Sequence, residues 1–148
     1  MRLLSLEVEH FRAIRSARLQ FGRGLNVVYG PNDHGKSTLT EAIRAALLVT
    51  PGTAEGRSFS TWGGAAGQFP NVVLGFESQG AVWRVEKVFA QGTRARAQLE
   101  KSTDGGTRYH THAQGRDVEG KLRELLNWGL APPGGRGAAQ RSETYLTT

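Results

Sequence analysis

The residues of this sequence best suited to chemistry stand in one run, Gly30-Pro31-Asn32-Asp33-His34-Gly35-Lys36-Ser37-Thr38. The run fits the phosphate-binding loop pattern, Gly, four residues, then Gly-Lys-Ser. A triphosphate must be wrapped by backbone N–H groups, and glycines at both ends let the chain curl with no Cβ in the way. Lys36 adds a point charge. Against a phosphate oxygen at ~4 Å, with an effective dielectric of ~20, that charge is worth about 4 kcal/mol before desolvation. Ser37 offers its hydroxyl to Mg²⁺. His34 sits inside the loop, where its backbone N–H matters more than its ring, and no catalytic role is assigned to it.

Such a loop needs a strand before it and a helix after it. Leu25 to Tyr29 reads as a short buried strand, and Leu39, Ala42, Ile43, Ala46 and Leu47 recur at helical spacing, with Pro51 as the stop. The helix then turns its N-terminus, with roughly half a positive charge, toward the phosphates. Upstream, Leu4, Leu6 and Val8 alternate with Ser5, Glu7 and Glu9, and after the corner His10-Phe11-Arg12 a second alternation sets Ala17, Leu19 and Phe21 against Arg18 and Gln20. These read as an antiparallel pair, so the phosphate loop is expected after a third strand. In small GTPases and nucleotide kinases it follows the first.

Downstream, Pro51 to Pro70 reads as a long, mobile surface loop with Phe59, Trp62 and Phe69 as its only large apolar residues. Val72 to Phe89 reads as a hairpin turning at Glu77-Ser78-Gln79-Gly80. A further run from Arg94 to Lys101 meets Tyr109 across a turn in which Asp104-Gly105 is expected to supply positive φ angles. Asp117 is placed to cap a helix lined by Val118, Leu122, Leu125 and Leu126 and ending near Asn127-Trp128-Gly129. A flexible linker follows at 132–137, and the close of the chain on 143–148 reads as the start of a further element, which suggests a fragment.

The chain has 148 residues, a formal charge of +6 and a pI near 10.3, which favour an anionic partner over an acidic protein surface alone; a merely solvated basic face gives the same totals. Without cysteine there is no disulfide framework and no Cys-based zinc site. His110 and His112 stand two apart and would share one face of a strand, but with no clear third ligand they read as exposed strand histidines. Arg94, Arg96, Lys101 and Arg108 fall around one hairpin; they either track a phosphate backbone or charge an edge strand against pairing. No apolar run approaches the ~18 residues of a membrane span, and Arg2 and Glu7 come too early for a signal peptide, so a soluble, cytoplasmic chain is expected.

With these residues in place the chain resembles the N-terminal segment of SMC-like ATPases, the group that includes SbcC-type, YhaN-like and RecF-type proteins. The resemblance rests on the opening Leu6-Glu7-Val8-Glu9-His10-Phe11-Arg12, on Gly24 to Gly30 leading into the loop, on Asn32 at the loop's third position and on the hairpin from Val72 to Phe89. His34 departs from the small residue usual there. The resemblance implies an α/β fold: the N-lobe of an ABC/SMC-type P-loop NTPase, a mixed sheet with an antiparallel β-meander and a P-loop helix, occupying residues 1–148. It implies ATP and Mg²⁺ as cofactors, with Arg12 joining Gly30 to Thr38 at the nucleotide. It also implies a C-terminal lobe on the same or a second chain, head-to-head homodimerisation, DNA, and a nuclease subunit as partners in DNA repair or chromosome maintenance. The Walker B and signature motifs that hydrolysis requires are not found here, so ATPase activity is expected only on completion by such a lobe, and the segment alone is expected to bind nucleotide weakly or not at all. Two other readings stay open: a non-catalytic, nucleotide-dependent protein-interaction module, and a small nucleotide kinase, which the strand order disfavours.

Overall fold

The computed structural model describes residues 1–30, 35–60 and 67–126. Six strands form one sheet in the order β2-β1-β3-β4-β5-β6, from β1 (Arg2–Phe11), β2 (Ile14–Gln20), β3 (Asn71–Ser78), β4 (Ala81–Val88), β5 (Arg96–Ser102) and β6 (Tyr109–Gln114). Every pairing is antiparallel. Helices α1 (Lys36–Leu48) and α3 (Asp117–Leu126) pack on one face, α1 against β1, β3 and β4 and α3 against β5 and β6. Among the described residues no helix is long and apolar enough to cross a membrane.

Alternation decides which side of each strand faces the helices. Across the sheet, Leu6, Leu74, Val85, Leu99 and Ala113 pair in succession, and all are buried. A parallel row runs Val8, Val72, Lys87 and Ala97. The β1 alternation holds at Leu6 and Val8 but fails at Leu4, because a bulge between Leu3 and Ser5 brings Leu3 opposite Phe76 and packs it on the core instead. At the far end of β1, Phe11 is fully buried, stacked on Phe59 at 4.6 Å between centroids and edge-on to Phe89 at 6.2 Å.

Phe59 shows that the stretch after Pro51 is not wholly a mobile loop. Thr53 caps a short helix, α2 (Ala54–Arg57), by accepting from the Gly56 N–H, and Ser60 bridges to Phe11, so the aromatic ring is carried into the core. Sequence composition missed this because a single buried aromatic among small polar residues leaves no periodicity. Residues 61–66 lie outside the described set, as do 127–148 with the expected helix end, linker and terminal element.

A second correction concerns Leu25 to Tyr29, which forms no strand and is not buried: Leu25 and Tyr29 are each 90% exposed. An apolar run becomes a strand only where a ladder takes up its N–H and C=O groups, and no described strand pairs with it. The parallel component expected of a mixed sheet is therefore absent from the described residues, and the loop follows the second strand instead of a third. The turns also differ in detail. Gln79 and Gly80 take positive φ (52° and 72°) in the β3–β4 hairpin, but at β5–β6 the positive angles belong to Gly105 and Gly106. Asp104 acts there as an acceptor, taking N–H bonds from Arg108 at 2.7 Å and Thr107 at 3.0 Å.

Two outcomes follow from this packing. Phe11→Ala should cost about 3–5 kcal/mol in urea unfolding, since it opens a cavity in the aromatic cluster; a loss below about 1 kcal/mol would mean that the cluster is not part of the cooperative core. The N–H groups of Arg108 first, and of Thr107, hold the Asp104 carboxyl below its ordinary range. A depressed folded-state pKa means that this contribution is present above the unfolded value near 4 and is lost as pH falls through the folded one. Protection of the Thr107 and Arg108 amides, taken relative to their intrinsic exchange rates, should fall in that acid window, and Asp104→Asn should flatten the dependence.

Candidate functional site: the loop at the start of the first helix

Gly35 opens α1 in the left-handed region (φ 84°), and a Cβ there would stand 3.1 Å from Cγ1 of Ile14. Conformation and space both ask for glycine. Lys36, Ser37 and Thr38 form the first turn of α1, which contains no acidic residue, and Gly35 offers no side chain to cap it. The partial positive charge of the helix start is thus not neutralised from within the helix. Lys36 folds back across the loop, its Nζ donating to the Gly30 carbonyl at 2.6 Å, so the two ends of the loop are joined by the ammonium group itself. Ser37 is exposed beside it. Pro31, Asn32, Asp33 and His34 lie outside the described residues.

The donor set suits a polyphosphate and its magnesium ion: helix N–H groups and an ammonium for the phosphates, and a hydroxyl oxygen for a hard cation. A groove of about 300 Å³ runs beside it, lined by Lys36, Ser37, Thr40, Phe21, Val28 and Leu39 among others. Another depression, about 400 Å³, lies on the opposite face of the sheet among Glu86, Arg96, Gln98 and Gln114, away from α1 and without a phosphate-binding pattern.

Arg12 is presented from a rigid corner, as its position after Phe11 suggested. His10 and Arg12 both take positive φ (52° and 49°), and the Arg12 N–H donates to the Phe59 carbonyl at 2.8 Å. Its guanidinium forms a two-point pair with Glu41 of α1, Nη2 to Oε1 at 2.7 Å and Nε to Oε2 at 2.6 Å, and lies 5.6 Å from the Phe59 ring centre. The fork is therefore committed to α1. Nothing in the linear sequence marked Glu41 as its partner.

The other candidates are not gathered into one site. Arg96 and Lys101 are five apart on β5 and so face opposite sides; Arg94 lies against Phe69, Lys101 over Trp83, and Arg108 near Asp104. β5 is an inner strand, so an edge guard does not describe them. His110 and His112 are exposed on the edge strand β6, His112 against Trp83, and no group of three metal-ligating side chains occurs among the described residues.

An antiparallel sheet backed by a helix that opens on Gly-Lys-Ser has the fold expected of the N-terminal segment of an SMC-like, ABC-type ATPase. Residues 5–127 match the AAA domain family, and the chain belongs to it. It is 52% identical over 59 residues, 40% of its length, to the DNA replication and repair protein RecF of Magnetococcus marinus, of which that stretch is 14%. It is 29% identical over 126 residues, 85% of its length, to the RecF protein of Acinetobacter baumannii, covering 30% of that protein. The chain thus spans less than a third of the length of these relatives. A solved structure described as "Structural biochemistry of ATP-driven dimerization and DNA stimulated activation of SMC ATPases" shares the fold with a TM-score of 0.55 and 16% identity, over 86% of this chain and 78% of that one.

Proposed function

We propose that residues 1–148 are the N-terminal lobe of a split ATPase head that binds Mg-ATP through the loop from Gly30 to Thr38 and acts in DNA repair or chromosome maintenance. The observation that carries this reading is the bond from Lys36 Nζ to the Gly30 carbonyl across a helix start free of acidic side chains. A phosphate oxygen would replace that carbonyl as a stronger, charged acceptor. Ser37 would hold Mg²⁺, which neutralises phosphate charge when bound. Arg12 joins the site in this reading by exchanging Glu41 for a nucleotide oxygen, a planar fork suited to either partner.

The exposed run Leu25, Val27 and Tyr29 supports a missing sheet neighbour. In this reading a C-terminal lobe, on the same or a second chain, supplies that neighbour together with the acidic residues for hydrolysis, and two completed heads associate on ATP. The AAA family match, the RecF relatives and the SMC fold neighbour favour this over an interaction module or a nucleotide kinase. DNA is the partner that suits the charge of +6, and the location is cytoplasmic.

Calorimetric titration tests the reading. Lys36→Ala should lower Mg-ATP affinity at least about tenfold, since a charge-assisted hydrogen bond contributes about 1.5–3 kcal/mol. Ser37→Ala should weaken Mg-ATP more than metal-free ATP, while Ser37→Thr keeps the oxygen and should be mild. Unchanged affinity in Lys36→Ala would reject the site, and equal losses with and without Mg²⁺ would reduce Ser37 to a helix-start residue.

A further inference from the structure

Lys87 breaks the apolar row of β4. Its side chain is fully buried, pointing from the middle of the sheet between α1 and α3. Nζ donates to the carbonyl of Val49, the C-cap of α1, at 2.9 Å, and lies 2.8 Å from Oε1 of Glu119 in the first turn of α3. The contact with Glu119 is an ion pair between two groups shielded from solvent. Burial pushes the ammonium below its ordinary pKa, and Glu119 works against that shift.

The helices explain why a cation sits there. The last turn of α1 contains no basic residue of its own, so its C-terminal partial negative charge is met from β4 instead. The fully buried centre of the face that α1 lays on the sheet is Ala42, Ala45 and Ala46, flanked by Leu39, Ile43 and Leu47; the small central side chains interlock weakly and resist sliding along the helix axis less than large ones would. A 13-residue helix is about 20 Å long, so a displacement at Val49 reappears at Lys36 and Ser37, and the packing that keeps the amides of its first turns closed loosens with it.

We propose that Lys87 is a positioning residue for the nucleotide site: by tying the C-terminal carbonyl of α1 to Glu119 of α3, it fixes the helix along its axis and so sets where Lys36 and Ser37 stand. The effect on nucleotide rests on the P-loop reading above; the tie itself does not.

The double variant Lys87→Met/Glu119→Met removes both charges together and strands no buried ion, and such replacements often leave stability unchanged or higher. Amide exchange and Mg-ATP titration on the whole chain then separate positioning from bulk stability. Exchange at Leu39 to Ala42 should quicken about fivefold or more relative to the amides of β3 and β4, and Mg-ATP affinity should fall by a similar factor. Wild-type exchange at Leu39 to Ala42, measured relative to β3 and β4, overturns the proposal. So does a loosened helix that binds Mg-ATP as tightly as before. If the unaltered chain binds no Mg-ATP by itself, the exchange result alone decides whether Lys87 fixes α1. Should the double variant not fold, Glu119→Gln, which keeps the shape and removes the counter-charge, is judged by the same criteria.

Discussion

The contact between α1 and the sheet is the constraint to which the rest of the structure answers. A phosphate loop needs its helix start at a fixed place, open to solvent and free of acidic side chains, yet the same helix must bury a face to be stable at all. Ala42, Ala45 and Ala46 meet both demands: they let α1 lie against Leu6, Val8, Val72 and Leu74, while Lys36, Ser37 and Thr38 stay at its open end. Flanking elements then hold the rod from outside. The Phe11, Phe59 and Phe89 cluster fixes the corner from which Arg12 reaches Glu41, and Arg44 of α1 pairs with Glu55 of α2 at 2.6 Å.

These contacts differ in what they are worth. Arg12 with Glu41 and Arg44 with Glu55 are substantially exposed, and pairs of that kind contribute about 0–1 kcal/mol, so they orient more than they stabilise. The buried pair of Lys87 and Glu119 is a different case. Desolvation consumes much of its attraction, and a residue of similar shape without charge would pack at least as well. Its presence in the core is better explained by geometry, the joining of two helix ends, than by gain in stability.

Much of this was legible in the sequence, for reasons that differ by element. The spacing of Gly30, Gly35, Lys36 and Ser37 depends on local backbone geometry, which a linear pattern encodes directly. The hairpin from Val72 to Phe89 shows in strict alternation, and that alternation also places Lys87 with Trp83 and Val85 on the core face, a signal available but unused. Apart from the β5–β6 turn, where Gly106 and not Asp104 takes a positive φ, the failures are of partners distant in the chain. Leu25 to Tyr29 has strand composition but no described strand beside it; Phe59 is buried by Phe11 and Phe89; Glu41 and Glu119 are found by folding alone. The bulge at Leu4 reversed the expected inward residue because register, not composition, decides it.

The central claim, that polyphosphate is held at the start of α1, is tested most directly by following backbone amide resonances while Mg-ATP is titrated to millimolar concentration into isotopically labelled protein. The account predicts saturable shifts centred on Gly30 and on Gly35 to Leu39, reduced when Mg²⁺ is withheld, with the β5–β6 turn at Asp104 to Arg108 unaffected. Saturable shifts on the opposite face of the sheet, around Glu86, Gln98 and Gln114, with Lys36 to Thr38 unmoved, would contradict it.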